Sequence, residues 1–379
     1  MIFSRENIMK KIILILVLLL CFATTGCTQS KGDPAQPTEP SHQAVENLFT
    51  TPDSDETPET SNPQTGYYGG VSHGFADKSH TDENGLYHIY EGGELHIDYS
   101  ISVTGNLGDA GIGIMLILDG RPQPYKTAED DEYSYLHTFY PNADEKMIVE
   151  LILVPVTGKE GDILELTAFH VLGPDYYPNE QVIGMMQTNG SVWNATQLVF
   201  QATPPAADGP AVTERVLSQT LKYADLTSND VQGWSSEDLQ SKYAFSFTPD
   251  HQTDETNIYG VSAENALTMR TEVFGATAVD WSLLLYLDHE PVSILSENQM
   301  DFSTKNGQKT IIETTLDLSG FDGESILYAV LFARNWRDPA VFNDTNCTTE
   351  ITSTYYLTDA ENLAAMDLKY GRAGRQQGE

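Results

Sequence analysis

Leu285-Tyr286-Leu287-Asp288-His289-Glu290-Pro291 lines up with Leu116-Ile117-Leu118-Asp119-Gly120-Arg121-Pro122 at an offset of 169 residues. In the first stretch of chain, Ile112 to Leu118 is an apolar run ending in Asp119-Gly120, a turn signal. Outward from this anchor the match continues. Lys309-Thr310-Ile311-Ile312-Glu313 answers Lys146-Met147-Ile148-Val149-Glu150 at an offset of 163. Gly320 through Phe332 follows Gly158 through Phe169 at an offset near 162. Leu267-Thr268-Met269 sits where Leu95-His96-Ile97 should be, and Thr349 to Leu357 answers Thr196 to Phe200. Anchors in one order with a small drift in offset are what a duplicated domain with altered loops produces.

Both copies read as short strands. Leu95 to Ile101 alternates apolar and polar at period two, and Met147 to Val156, Ile163 to Leu172 and Trp193 to Phe200 follow between Gly, Pro, Asn and Asp punctuation. No stretch between 66 and 202 shows helical periodicity. The fold class is therefore expected to be all-β, with two tandem related β-sandwich domains after a signal peptide and a disordered tether. Paired sheets would hide the apolar positions and turn the polar ones to water. The expected organisation is 1–26 signal peptide, 27–65 tether, 66–202 first sandwich and 203–240 linker, in which Val212 to Asp225 can pair as a strand. The second sandwich takes 241–358, and 359–379 is a polar tail. The two units resemble bacterial immunoglobulin-like or jelly-roll sandwiches at the level of pattern, without the Cys…Trp…Cys spacing of true immunoglobulin domains.

The first segment reads as an address. Lys10-Lys11 precede an uncharged run from Ile12 to Phe22, shorter than the roughly 20 residues a spanning helix needs. Ala23-Thr24-Thr25-Gly26-Cys27 follows, and it resembles the lipobox of bacterial lipoproteins. The resemblance implies that the Cys27 thiol is acylated and becomes the mature N-terminus, anchoring the chain to the outer face of the cell membrane, in a bacterium of Gram-positive type. Residues 28–65 are acidic and proline-rich, with Val45, Leu48 and Phe49 as the sizeable apolar side chains, too few to build a core. They read as a tether with a reach on the order of 30 Å.

Charge narrows the partners. Lys and Arg number 20 against 55 Asp and Glu, a formal net charge of −35, and removing residues 1–26 takes it to −37. Such a field repels nucleic acid. Cys21, Cys27 and Cys347 make no disulfide framework, and Cys347 reads as a small hydrophobe in the sheet.

Several stretches invite a chemical reading. Gly70-Val71-Ser72-His73-Gly74 has the spacing of a nucleophile elbow, but no helix pattern follows it, so it reads as a glycine-rich turn. His73, His80, His88 and His96 recur at spacings of seven and eight, which do not place two imidazoles on one metal. Glu129-Asp130-Asp131-Glu132 and Asp82-Glu83-Asn84-Gly85 lack calcium-loop spacing and read as solvated faces. The sequence thus predicts no catalytic residue, no metal ligand and no cofactor.

Gly173-Pro174-Asp175-Tyr176-Tyr177-Pro178 in the first copy matches Arg334-Asn335-Trp336-Arg337-Asp338-Pro339 in the second. Aromatic faces flanked by polar groups suit sugar rings or a protein partner, so Tyr176, Tyr177 and Trp336 are the candidate ligand contacts; the same rings can instead plug the sandwich end. The function expected is that of a lipid-anchored cell-surface binding protein, carbohydrate-binding or adhesive. Two alternatives stand beside it: an accessory subunit docking a membrane complex such as a transporter, and a cell-envelope hydrolase.

Overall fold

The computed structural model describes residues 68–365, apart from 77–80, 83–84, 107–110, 178–188, 206–209, 211, 250–257, 262–264, 277–278, 294–298, 322, 335–348, 353 and 360. The chain divides into residues 1–63, which lie outside the described residues together with Cys27, and residues 64–379, which form one compact unit.

The first half of this unit contains β1 (Tyr68–Phe75), β2 (Thr81–Asp82), β3 (Gly85–Tyr90), β4 (Leu95–Asn106), β5 (Ile112–Leu118), β6 (Arg121–Gln123), β7 (Lys126–Thr127), β8 (Leu136–Phe139), β9 (Lys146–Leu153), β10 (Ile163–Leu172) and β11 (Asn189–Phe200). They form one sheet in the order β1-β4-β9-β7 and another in the order β2-β3-β11-β10-β5-β6, with β8 beside β5. The second half contains β12 (Thr213–Glu214), β13 (Val216–Asp225), the one-turn helix α1 (Asp238–Ser241), β14 (Tyr243–Pro249), β15 (Ile258–Gly260), β16 (Ala266–Gly275), β17 (Asp280–Leu287), β18 (Glu290–Ser293), β19 (Met300–Ser303), β20 (Gln308–Asp317), β21 (Glu324–Ala333), β22 (Thr349–Ile351) and β23 (Tyr355–Thr358). Its sheets run β13-β20-β16-β14 and β12-β18-β17-β21-β23-β15, with β19 beside β17 and β22 beside β21.

The two halves are wired alike. Strand order β3-β11-β10-β5-β6 in the first is β15-β23-β21-β17-β18 in the second. The β3/β11 and β15/β23 pairs are both parallel. Even the register repeats, with Leu116 opposite Ala168 and Leu285 opposite Ala329. The fold is all-β, two related β-sandwiches.

Each sandwich has its own core between its two sheets. In the first, Tyr99 and Ile101 of β4 and Leu151 of β9 meet Leu116 of β5, Leu166 of β10 and Leu198 of β11. In the second, Met269 and Val273 of β16 and Ile312 of β20 meet Trp281 and Leu283 of β17 and Leu331 of β21. The outer strand β16 alternates buried and half-buried residues along its whole length, as a strand with one wet face must.

The inner strands differ from the simple expectation of one dry and one wet face. All seven residues of β5 are buried, as are seven of the eight in β17. The reason is a third apolar cluster. Met115 and Ile117 of β5 with Phe169 and Val171 of β10 pack on Leu284 and Tyr286 of β17 and on Tyr328, Val330 and Phe332 of β21. The two sandwiches therefore meet sheet against sheet, and their inner sheets are dry on both faces. Equivalent strands of the two copies supply both sides of this seam, the internal counterpart of an isologous dimer contact.

The stretch expected as a linker also carries sheet. Val216–Asp225 pairs with β20 in antiparallel register, and Val216 and Leu221 pack against the second core. Backbone pairing plus this apolar side fixes the segment as an edge strand of the second sandwich. Among residues 226–242, Trp234 lies 5.3 Å, centroid to centroid, from Phe274 of β16.

Candidate functional site

The hairpins quoted at the outset are the natural starting point. Leu118 pairs with Arg121 and Leu287 with Glu290, which leaves Asp119-Gly120 and Asp288-His289 as two-residue loops. All four residues have positive φ: 48° and 78° in the first turn, 52° and 66° in the second. That is the type I′ conformation, which matches the twist of the flanking strands and favours Asp or Asn followed by Gly. The second copy places a histidine where the conformation asks for glycine.

His289 is buried, and its ring bridges the two sandwiches. Nε2 lies 2.8 Å from the carbonyl oxygen of Pro174, just past the end of β10. A carbonyl can only accept, so Nε2 carries the proton and Nδ1 accepts from the Tyr328 hydroxyl at 3.1 Å. Asp288 reaches the same loop. Its Oδ1 accepts from the Tyr177 hydroxyl at 3.3 Å and from the Ile326 amide at 2.8 Å, while Oδ2 accepts from the Ser325 hydroxyl at 2.9 Å.

The loop itself is a tight turn. The Tyr176 amide donates to the Gly173 carbonyl at 2.9 Å, and the Tyr176 ring meets Tyr356 edge-on with centroids 6.1 Å apart. Both tyrosines are half-buried against the seam. Burial, with the Asp288 charge next, pushes the Tyr177 hydroxyl well above its ordinary pKa, so it remains a hydrogen-bond donor.

Beside Tyr177 opens a groove of about 410 Å³, lined also by Gly323, Glu324, Asp359 and Asn362. Residues 361–365 form a single helical turn, and the Asp359 carboxylate caps it by accepting from the Asn362 amide at 2.7 Å. The Asn362 side-chain nitrogen donates to Glu324 at 3.1 Å. One wall thus presents an aromatic ring, and the other presents carboxylate and amide groups able to exchange hydrogen bonds with hydroxyls.

Of the residues proposed from sequence, Tyr177 faces this groove and Tyr176 packs beside it. Trp336 and Cys27 lie outside the described residues. Arg334, two residues before Trp336, directly follows β21 and pairs with Asp301 at 3.0 Å. β21 spans ten residues, roughly 30 Å, so Arg334 and the groove stand at opposite ends of it. Gly70 to Gly74, read as a turn, is instead part of strand β1 paired with β4. Its Gly74 is pressed against Asn194, whose amide nitrogen would stand 2.9 Å from an added Cβ. His73 and His88 are buried in the first sandwich, His73 with Nε2 2.9 Å from Nδ1 of His170 and Nδ1 bonded to the Tyr99 hydroxyl. His96 is half-exposed beside Glu150 at 3.2 Å, and His80 lies outside the described residues. Asp130 accepts from Thr127 and pairs with His137. Among the described residues no group of three His, Cys, Asp or Glu side chains is arranged to hold a metal ion.

Sequence reasoning missed Asp288, His289, Glu324, Asp359 and Asn362. One signal was available: a histidine opposite a glycine in aligned turns.

Burial lowers the His289 pKa below its ordinary value, against the pull of the Pro174 carbonyl and the nearby Asp288 and Asp175 charges. The unfolded chain takes up this proton at about pH 6.5 while the folded chain resists it. Stability from this group is therefore present above about pH 6.5 and is lost as the pH falls toward the folded-state value. Melting temperatures at pH 7.5 and 5.5 should show a smaller acid loss in His289→Asn than in the parent; equal losses would remove His289 from the acid response.

No protein-family model matches the chain, and no curated protein matches it. Solved structures do. The C-terminal domain of the Streptococcus agalactiae AgI/II polypeptide BspA is 8% identical, with a TM-score of 0.21 over 76% of this chain and 100% of that one. Fibronectin(III)-like modules of Clostridium thermocellum CbhA are 9% identical, with a TM-score of 0.17 over 77% of this chain and 95% of theirs. A 1.5-MDa bacterial ice-binding adhesin is 13% identical, with a TM-score of 0.12 over 70% of this chain and 57% of its own. At TM-scores this low the likenesses carry no argument about function.

Proposed function

We propose that this is a lipid-anchored, surface-displayed binding protein that takes a carbohydrate in the groove beside Tyr177. The observation that carries the reading is the pairing of an aromatic wall with polar walls in one groove. A sugar offers a flat apolar face and a rim of hydroxyls. The Tyr177 ring suits the face, and Glu324, Asp359 and Asn362 suit the hydroxyls. Among the described residues no lysine or arginine lines the groove, which favours a neutral glycan over an anionic one. Tyr176, turned against Tyr356, supports the wall from behind. The lipobox-like stretch ending at Cys27, with the acidic tether after it, supports attachment to the outer face of the cell membrane and display of the sandwiches above it.

Affinity electrophoresis of residues 64–379 through gels containing plant, host and cell-wall polysaccharides tests the ligand. One polysaccharide should retard the parent, and Tyr177→Ala, run well below its own lower melting temperature, should weaken retention at least tenfold (about 1.4 kcal/mol). Free migration through every gel would discard the glycan. Cys27→Ser in the full chain should move the protein from the membrane fraction to the medium.

A further inference from the structure

The two hairpin turns have the same backbone but opposite surroundings. At Gly120, φ is 78°, and an added Cβ would stand 2.6 Å from Ser282 Oγ, so the seam leaves no room for a side chain. At His289, φ is 66° and the space beyond the turn is filled by an imidazole. The left-handed conformation costs an L-residue roughly 1–2 kcal/mol, which glycine does not incur. A turn alone explains glycine in the first copy and does not explain histidine in the second. What the ring adds is a link between the sandwiches: Nε2 on the Pro174 carbonyl of the first, and Nδ1 on Tyr328 of its own, whose hydroxyl also lies 3.0 Å from Met115 of β5.

We propose that His289 is a positioning residue for the groove: its imidazole clamps the Pro174–Tyr177 loop of the first sandwich onto the second and so holds the Tyr177 wall in place. The inference rests on the groove reading only for what the wall is used for; the clamp is tested without a ligand. Asp288, next to it, completes the grip by accepting from Tyr177 itself. The two residues of one turn therefore hold both ends of a four-residue wall, Pro174 through its carbonyl and Tyr177 through its hydroxyl. The strain of the left-handed histidine is kept at this copy because the ring has something to hold.

Hydrogen exchange read by mass spectrometry on the full chain tests the clamp. His289→Gly keeps the turn conformation and deletes the ring. His289→Gln carries a side-chain amide that reaches the place of the imidazole Nε2 and so restores an N–H donor toward Pro174. In the glycine variant, the amides of Gly173, Asp175, Tyr176 and Tyr177 should exchange at least fivefold faster while those of β10 and β21 keep their protection. The glutamine variant should recover most of the lost protection. Unchanged exchange in 173–177, or acceleration spread evenly through both sandwiches, would overturn the proposal. Because this readout contains no polysaccharide, it stands or falls separately from glycan retention.

Discussion

Tyr328→Ala is expected to lower the unfolding free energy by about 3–5 kcal/mol, the usual cost of emptying a large buried aromatic site. Tyr328 is fully buried at the centre of the seam, stacked on Tyr286 with centroids 5.2 Å apart and planes 12° from parallel. The substitution also removes the hydroxyl that donates to His289. Both sandwiches supply the walls of the site, so the void lies between them rather than inside either one. Calorimetry should therefore change in kind as well as in temperature. The parent should melt in one transition, because β5 and β17 are dry on both faces and neither sandwich can lose its neighbour without wetting them. In the variant the seam opens first and a second transition separates. A parent that already melts in two transitions, with the variant displaced by less than about 1 kcal/mol, would mean that the seam is a loose contact between independent domains.

The second large effect is expected at the opposite turn. Gly120→Ala combines a left-handed backbone that now carries a side chain with a methyl group driven into Ser282, whose hydroxyl is held by Asp301 at 2.7 Å. The backbone costs about 1–2 kcal/mol and the overpacking about 1–3, so a loss of about 2–5 kcal/mol follows. Gly161 supplies the control. Its φ is also positive, 93°, but nothing stands within 4 Å of an added Cβ. Gly161→Ala should therefore show the backbone cost alone. Chemical denaturation of the two variants measures the difference; equal losses would show that Ser282 yields freely and that the seam does not press on the turn.

The pair of turns shows how much of this molecule can be read in its sequence. The alignment of Leu116 to Pro122 with Leu285 to Pro291 locates equivalent hairpins, and the observed registers, Leu116 opposite Ala168 and Leu285 opposite Ala329, place them at the same point of the same sheet order. This is legible because strand periodicity and turn chemistry are local: period-two alternation and an Asp-Gly dipeptide act over a few residues. The apolar run Ile112 to Leu118 was legible as a strand, while the reason for its missing polar face was not. An unbroken apolar strand states that both faces are dry and leaves open what covers the second one.

The groove was half legible. Tyr176 and Tyr177 stand out because a loop rich in aromatic and polar residues recurs in the matched copy, and Tyr177 does line the groove. Its other walls come from Gly323, Glu324, Asp359 and Asn362, which lie more than 140 residues further along the chain and carry no motif. Arg334, the described residue of the matched stretch, stands at the far end of β21 from Tyr177.

By itself, then, the sequence determined the strand pattern, the duplication, the turn at Asp119-Gly120 and the acidic character of the chain, since each follows from composition or from residues near one another. Only the tertiary structure decided that the two copies meet through equivalent sheet faces, that Asp288 and His289 grip a loop of the other sandwich, and that a groove opens where they do. Those features depend on which surfaces the copies bury against each other, and burial between distant segments leaves no period in the chain that would name its partner.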